Sequence, residues 1–165
     1  MRNSEFEQLF ADQAGALFGF LAYRLGDQSE AEDVLGEAFE RALRARERYD
    51  PSRASAKTWL YSIALNCLRD RRRRAAAETR AMERVLAGVA VNGGDSWISR
   101  VEDREQLGRA LEALSEEERE AIALRYGGEL TAPEMAALLG EKLTTVEGRI
   151  YRALRKLRDE LDQSS

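Results

Sequence analysis

Apolar residues recur at three- and four-residue intervals along most of the chain, the signature of amphipathic helices. Phe6, Leu9, Phe10, Gln13, Leu17, Phe20, Leu21 and Arg24 line one face of a first helix, which Gly26-Asp27 breaks. Ser29-Glu-Ala-Glu32 has the form of a capping box, the serine oxygen accepting from the third amide while the glutamate reaches back. The helix it opens is expected to bury Ala31, Val34, Leu35, Ala38, Phe39, Ala42 and Leu43, with Asp33, Glu37 and Glu40 together on the exposed face. Tyr49-Asp-Pro-Ser-Arg53 reads as a turn, because proline sets φ and aspartate bonds back to the backbone. A third helix from about Ser55 carries Trp59, Leu60, Ile63, Ala64, Cys67 and Leu68 inward and runs out into Arg69–Arg74.

Beyond Ala75 the pattern weakens. An Ala/Glu/Arg stretch can extend the helix, then Gly88 and Val91-Asn-Gly-Gly-Asp95 interrupt it, so a partly helical, flexible linker is expected, with Trp97 and Ile98 docking at a place the pattern does not define. Val101, Leu107, Leu111 and Leu114 resume the periodicity. Ser115-Glu-Glu-Glu118 is a second capping box, opening a helix with Ile122, Leu124 and Tyr126 that stops at Gly127-Gly128. Thr131-Ala-Pro-Glu134 is a third, with proline in the first turn where its missing N–H costs little. Ala136, Gly140 and Val146 then have the spacing of a helix-turn-helix: alanine for close contact, glycine for the turn, valine for the core between helices. Thr144-Thr-Val-Glu147 opens the last helix, with Val146, Ile150, Ala153, Leu154, Leu157 and Leu161 inside and basic residues outside. No internal repeat is evident.

The 165 residues, 34% of them charged, suit two small domains, and the dominance of Ala, Leu, Glu and Arg makes both helical. Cys67 is the single cysteine and histidine is absent, which excludes an internal disulfide and removes the commonest base and metal ligand. Neither a signal peptide nor a membrane span of roughly 20 apolar residues is readable, so a cytoplasmic protein is expected. The net charge of −4 conceals strong patterning. Asp27, Glu30, Glu32, Asp33, Glu37 and Glu40 form an acidic stretch without a base. Arg69–Arg74 and the helix carrying Arg149, Arg152, Arg155, Lys156 and Arg158 are basic. Two basic patches separated by acidic surface suggest a bipartite anionic partner, with the acids facing a protein.

A short helix, a glycine turn and a longer basic helix suit insertion of the last helix into the major groove. Thr145, Gly148, Arg149 and Arg152 lie where base edges or phosphates are met, and Arg155 and Lys156 where the backbone is. The bland alternative, a helical hairpin with a solvated charged face, leaves the joint occurrence of Ala136, Gly140, Val146 and the basic face unexplained. The arginine run is equally a helix end complementing the dipole. Its placement adds meaning, since Asn66, Arg69, Asp70 and Arg73 share one face on which Asn and Asp can meet base edges while arginines hold phosphates. The acidic stripe reads either as soluble surface or as a protein contact. Gly36 within it costs up to about 1 kcal/mol of helix stability, which close approach of another helix would explain. Trp59 belongs to the core by register with Ile63, Tyr61 is open between core and base stacking, and Cys67 is a small buried hydrophobe. No nucleophile, phosphate loop, metal cluster or paired carboxylate in a pocket is present, so no enzyme, no cofactor, no metal and no small-molecule substrate are expected.

The order Ala31-Glu-Asp-Val-Leu-Gly-Glu-Ala-Phe39, Tyr49-Asp-Pro-Ser-Arg53, Trp59-Leu-Tyr-Ser-Ile-Ala-Leu-Asn66, an arginine run, then Leu114-Ser-Glu-Glu-Glu-Arg-Glu120 and a helix-turn-helix resembles the bacterial extracytoplasmic-function (group IV) sigma factors of the sigma-70 family. The likeness covers nearly all of the chain except the linker. It implies an all-α fold of two small helical domains, a region 2 bundle over 1–75 and a region 4 helix-turn-helix over 101–165, joined by a flexible linker over 76–100. It implies a promoter-specific initiation factor that binds core RNA polymerase at the clamp helices and flap, and promoter DNA; an anti-sigma factor is a further candidate partner, and no membrane insertion is implied. By analogy Asp33, Gly36, Glu37, Glu40 and Arg41 meet the polymerase. Arg53, Lys57, Asn66, Arg69, Asp70, Arg71, Arg72, Arg73 and Arg74 would capture and open the −10 element. Thr144, Thr145, Glu147, Gly148, Arg149, Arg152, Arg155 and Lys156 would read the −35 element. Gly36 stands where the family usually has glutamine, Ala56 where an aromatic is common, and Glu147 where a base is usual. Glu147 can complete a capping box with Thr144, accept from a cytosine amino group, or weaken phosphate attraction. A sigma-like decoy for an anti-sigma factor and a stand-alone helix-turn-helix repressor are the competing readings.

Overall fold

The computed structural model describes residues 1–85 and 108–163, which are helical with no strand among them. The readings of Gly88, Val91–Asp95, Trp97, Ile98, Val101 and Leu107 lie outside the described residues. Three helices build the first half: α1 (Asn3–Leu25), α2 (Gln28–Ala45) and α3 (Ala56–Val85). Gly26 ends α1 in the left-handed conformation, φ 69°, with its N–H donating to the Ala22 carbonyl. One residue on, Asp27 is extended and its carboxylate accepts from the Glu30 amide at 3.1 Å, so Asp27, and not Ser29, caps α2. A charged acceptor at the first extended position after the glycine captures the amides before serine can. In the turn before α3, Asp50 accepts from the Ser52 amide at 2.9 Å, and Ser55 caps the helix by accepting from the Thr58 amide at 3.1 Å.

Leu17, Phe20 and Leu21 of α1, Ala31, Val34 and Ala38 of α2, and Leu60, Tyr61 and Ala64 of α3 are wholly buried. Each large apolar side chain so enclosed contributes about 1.5–3 kcal/mol. Three expected core residues stand farther out. Phe10 is 49% and Leu43 43% exposed, at the margins of stripes wider than the helices that cover them, and Phe10 meets Phe39 in a tilted ring contact at 4.6 Å. Trp59 is half-buried, its ring 5.1 Å from Tyr49, while its neighbour Tyr61 takes the core position. Among the described residues nothing approaches a Cβ built on Gly36 within 4 Å, so none of them makes the expected close helix contact.

In the second half, residues 108–112 are helical and α4 (Glu116–Ile122) starts in the capping box of Ser115 and Glu118. It passes into a π-helical turn over Ala123–Gly127, which turns Tyr126 outward to 51% exposure. Helix α5 (Ala132–Leu139) opens in the box of Thr131 and Glu134, and Gly140 takes the turn with φ 66°. Helix α6 (Leu143–Gln163) starts one residue before Thr144, the Lys142 carbonyl accepting from the Thr145 amide at 3.0 Å. Thr144 therefore sits inside the helix, and Glu147 completes no capping box. Leu154 is 40% exposed, a correction to the expected inner face, because Ala153 and Leu157 fill the seam with α4.

The two halves share a core. Leu124, Leu130, Met135 and Val146 belong to the same buried cluster as Phe20 and Tyr61. Their contact is closest where Gly19 of α1 meets Gly127: a Cβ on Gly19 would stand 2.8 Å from the Gly127 carbonyl oxygen. Beside it the buried Tyr61 hydroxyl donates to the Gly128 carbonyl at 3.0 Å. Burial pushes the phenol above the usual tyrosine range, with Glu129 and Glu134 adding to it. Gly19→Ala is expected to lose about 1–3 kcal/mol by overpacking this seam, despite alanine's better helix propensity. Gly36→Ala, in open space, is expected to gain about 0.5–1 kcal/mol. Urea denaturation of the full chain reads both signs, and a Gly19→Ala chain as stable as the parent would contradict the backbone contact.

Candidate nucleic-acid interface

Val146, Ala153 and Leu157 turn α6 inward, which leaves Thr144, Thr145, Glu147, Arg152 and Arg155 exposed on the opposite side. Glu147, Arg152 and Arg155 form no ion pair among the described residues. Gly148 gives the Arg152 side chain room, a Cβ there standing 3.3 Å from the guanidinium. Arg149 is different: its guanidinium lies 2.8 Å from Glu141 and is 17% exposed, a brace between helix and turn. Lys156 pairs with Glu118 at 2.9 Å, tying α6 to the start of α4. Burial alone would raise the Glu118 pKa, but Lys156 and the Ser115 amide outweigh it and hold the carboxyl below its ordinary value. Tyr151, which the sequence reading passed over, is 66% exposed among these residues. Its position seven residues after Thr144, two helical turns on, is the signal that marks it.

On α3 the arginine run divides. Asn66, Arg69 and Arg73 are exposed, and the two arginines have no ion pair among the described residues. Asp70 leaves this group: its carboxylate accepts from Arg41 at 2.9 Å, and that bond, aided by the charges of Arg41 and Arg73, holds its pKa below the usual range. Arg41 also donates to Glu37 at 2.5 Å. Arg74 approaches the same Glu37 at 3.7 Å, and Arg71 approaches Asp33 at 3.8 Å. Much of the acidic stripe of α2 is thus spent on the arginines of α3, and Glu40 pairs with Arg44 along its own helix. Arg53 is exposed in the turn before α3.

The remaining bases face the other half. Lys57 pairs with Glu134 at 3.1 Å and donates to the Glu129 carbonyl at 3.4 Å. Glu129 is the one non-glycine residue with positive φ, 55°, among the described residues. Arg72 and Arg24 both reach the same oxygen of Glu116, at 2.8 and 2.9 Å. Arg24 was assigned only to the buried stripe of α1, since nothing local connects it with residue 116. Its hydrogen bond and charge, with Arg72 beside it, hold the Glu116 carboxyl below its ordinary value.

Two helical units thus each present a basic helix, the arrangement of a bipartite reader of an anionic polymer. A family model described as Sigma-70 region 2 matches residues 9–78, and one described as Sigma-70, region 4 matches residues 104–157. The chain is 31% identical over 157 residues to the ECF RNA polymerase sigma factor RpoE of Cereibacter sphaeroides, across 94% of this chain and 86% of that protein. It is 35% identical over 151 residues to the ECF RNA polymerase sigma factor SigE of Mycolicibacterium smegmatis, across 88% of this chain and 57% of that one. Among solved structures, the sigma factor RpoE in complex with the anti-sigma factor NepR from Bartonella quintana shares the fold, with a TM-score of 0.74 at 23% identity over 96% of this chain and 97% of that one. CnrH, solved in complex with the cytosolic domain of CnrY, gives 0.69 at 28% identity over 99% and 92%. The chain belongs to the extracytoplasmic-function RNA polymerase sigma factors, alternative sigma factors that direct transcription initiation.

Because the Glu116 pKa is depressed, its contribution to the contact between halves is complete above the ordinary glutamate value of 4.5 and is lost as pH falls through the depressed one. Small-angle scattering on an acid titration should show the halves loosening below pH 4.5, with a smaller response in Glu116→Gln. An identical titration for both chains would remove Glu116 from the contact.

Proposed function

We propose that this chain is a group IV sigma factor acting in the cytoplasm. It divides into a polymerase-binding and −10-reading domain over 1–75, a linker over 76–100 and a −35-reading domain over 101–165. The observation that carries this reading is the pair of exposed basic faces, Asn66, Arg69 and Arg73 on α3 and Thr144, Arg152 and Arg155 on α6, on separately capped helical units. Neither face alone has enough phosphate contacts to hold DNA tightly at physiological salt. Joined on one polymerase, the second contact becomes intramolecular and gains from effective concentration.

On this reading the exposed α2 face around Asp33, Gly36 and Glu40 docks on the clamp helices of core polymerase, with Gly36 leaving bare backbone for a partner helix. The second domain rests on the flap. Arg41 acts from behind this face, buckling Glu37 to Asp70 and so setting the angle of α3 against α2. Phosphates are held by Arg69 and Arg73 while Asn66 meets an extruded base, which repays part of an unstacking cost of a few kcal/mol without any catalytic group. Tyr151 joins Thr144, Thr145 and Gly148 at base edges in the major groove. The complex of its structural relative RpoE with the anti-sigma factor NepR supports an anti-sigma factor as a further partner.

Transcription with core polymerase over a library of genomic fragments tests this reading. Promoter-directed product is expected only when the chain and core are both present; product from no fragment would refute it, and tight operator binding by the chain alone would favour a repressor. Glu147 caps nothing, so Glu147→Lys is expected to strengthen −35 binding and steepen the salt dependence by about one phosphate contact. A variant unchanged in affinity, salt slope and sequence preference would place Glu147 outside the interface.

A further inference from the structure

Arg24 is an unusual cation to find on an otherwise apolar helix face. Its side chain is 4% exposed, yet its guanidinium makes its closest ion pair across the seam, with a residue 92 positions later in the chain. Arg72 comes from a different helix of the same domain and reaches the same Glu116 oxygen. Arg24 Nε stands 3.8 Å from Glu120 and is buried without a hydrogen bond. Two guanidiniums from separate helices, converging on one anionic oxygen, form a fork of the kind that grips phosphate. Two like charges held this close repel, and an anion placed between them relieves that repulsion.

The carboxylate that fills it belongs to the other domain and is itself 62% exposed, so it leaves when the halves separate. Arg72 is next to Arg73 and one turn from Arg69 on α3, which puts it beside the strip proposed to hold DNA. A second ion pair across the seam stands at the start of α3, where Lys57 meets Glu134 at 3.1 Å. The helical rise of about 1.5 Å per residue places Lys57 and Arg72 about 22 Å apart along the axis of α3, roughly six to seven nucleotide steps of one strand.

We propose that Arg24 and Arg72 form a binding site for a backbone phosphate of promoter DNA, and that Glu116 occupies it in the closed molecule as a carboxylate substitute. Closure and promoter engagement then compete for the same two guanidiniums. Arg24, outside every basic cluster of the sequence, becomes a DNA-binding residue. The proposal rests on the sigma factor reading above.

The test uses the full chain and its holoenzyme with a promoter fragment recovered from the genomic transcription assay. Dyes at Glu7→Cys and Gln163→Cys report closure, and promoter affinity over a salt series reports phosphate contacts. Arg24→Gln is expected to weaken holoenzyme binding about tenfold, the effect of losing a charged hydrogen bond, and to make the salt slope shallower by about one. Arg24→Lys should restore the slope but only part of the affinity, since it keeps the charge and loses the fork. Glu116→Gln leaves the apolar seam in place but should raise the open fraction, and should tighten promoter binding by the free chain up to severalfold, the worth of one exposed ion pair, with the slope unchanged. Arg24→Gln that opens the molecule yet keeps the parental salt slope would reduce the fork to an interdomain clasp and overturn the proposal. If Arg24→Gln does not fold, Glu116→Gln decides: promoter binding by the free chain no tighter than the parent's overturns the proposal. A wild-type chain that yields no promoter product refutes the sigma factor reading as well, so the two failures are distinguishable.

Discussion

Where α1 touches the second domain, two backbones meet with no side chain between them, and the shared core depends on that. The approach of Gly19 to Gly127 brings Phe20 and Tyr61 within reach of Leu124 and Leu130 and lets the Tyr61 hydroxyl find the Gly128 carbonyl. A single methyl group on either glycine would push the surfaces apart, and a buried phenol would lose its acceptor at the same time. The π-helical turn serves this contact, since the wider turn after α4 sets Gly127 against α1 and leaves Tyr126 in solvent. Packing and ion pairing therefore act at the same place: the apolar seam sets the distance, and Lys57, Arg72 and Arg24 close its ends.

The electrostatics work by subtraction. An acidic chain with two basic helices has no need to spend its arginines internally, yet Glu37, Asp70 and Arg41 form a network that draws in Arg74, and Asp33 takes Arg71 separately. What stays open is a narrow strip, Asn66, Arg69 and Arg73. The same economy holds in α6, where Glu141 and Glu118 take Arg149 and Lys156 and leave Arg152 and Arg155. Few free cations mean modest phosphate attraction in either domain alone, consistent with a reader that needs both domains held on one scaffold.

Local features were legible in the sequence, and features created by distant contacts were not. The boxes at Ser115 and Thr131, the left-handed Gly140 and the buried Val146 each depend on residues within a turn or two, and each was read correctly. Asp27 and Ser29 were two plausible caps in competition, decided by backbone conformation at the first extended residue. Tyr61 was ambiguous because a helical residue flanked by core on both sides is placed only when the second domain arrives. Arg24 and Glu116, 92 positions apart, carry no shared signal. Leu43, Leu154 and Phe10 were assigned inward by periodicity, but a stripe wider than its partner leaves its margins in water.

The seam also imposes an order in time. Its first-domain side, Gly19, Arg24, Lys57, Tyr61 and Arg72, is complete long before Glu116, Gly127 and Gly128 are synthesised. At about 5–20 residues per second the ribosome leaves this domain without its cover for seconds. In that interval Tyr61 has no acceptor at Gly128, and two guanidiniums face water without Glu116. The newborn chain is open first and closed only afterwards, so its earliest partners meet a surface that the finished molecule conceals.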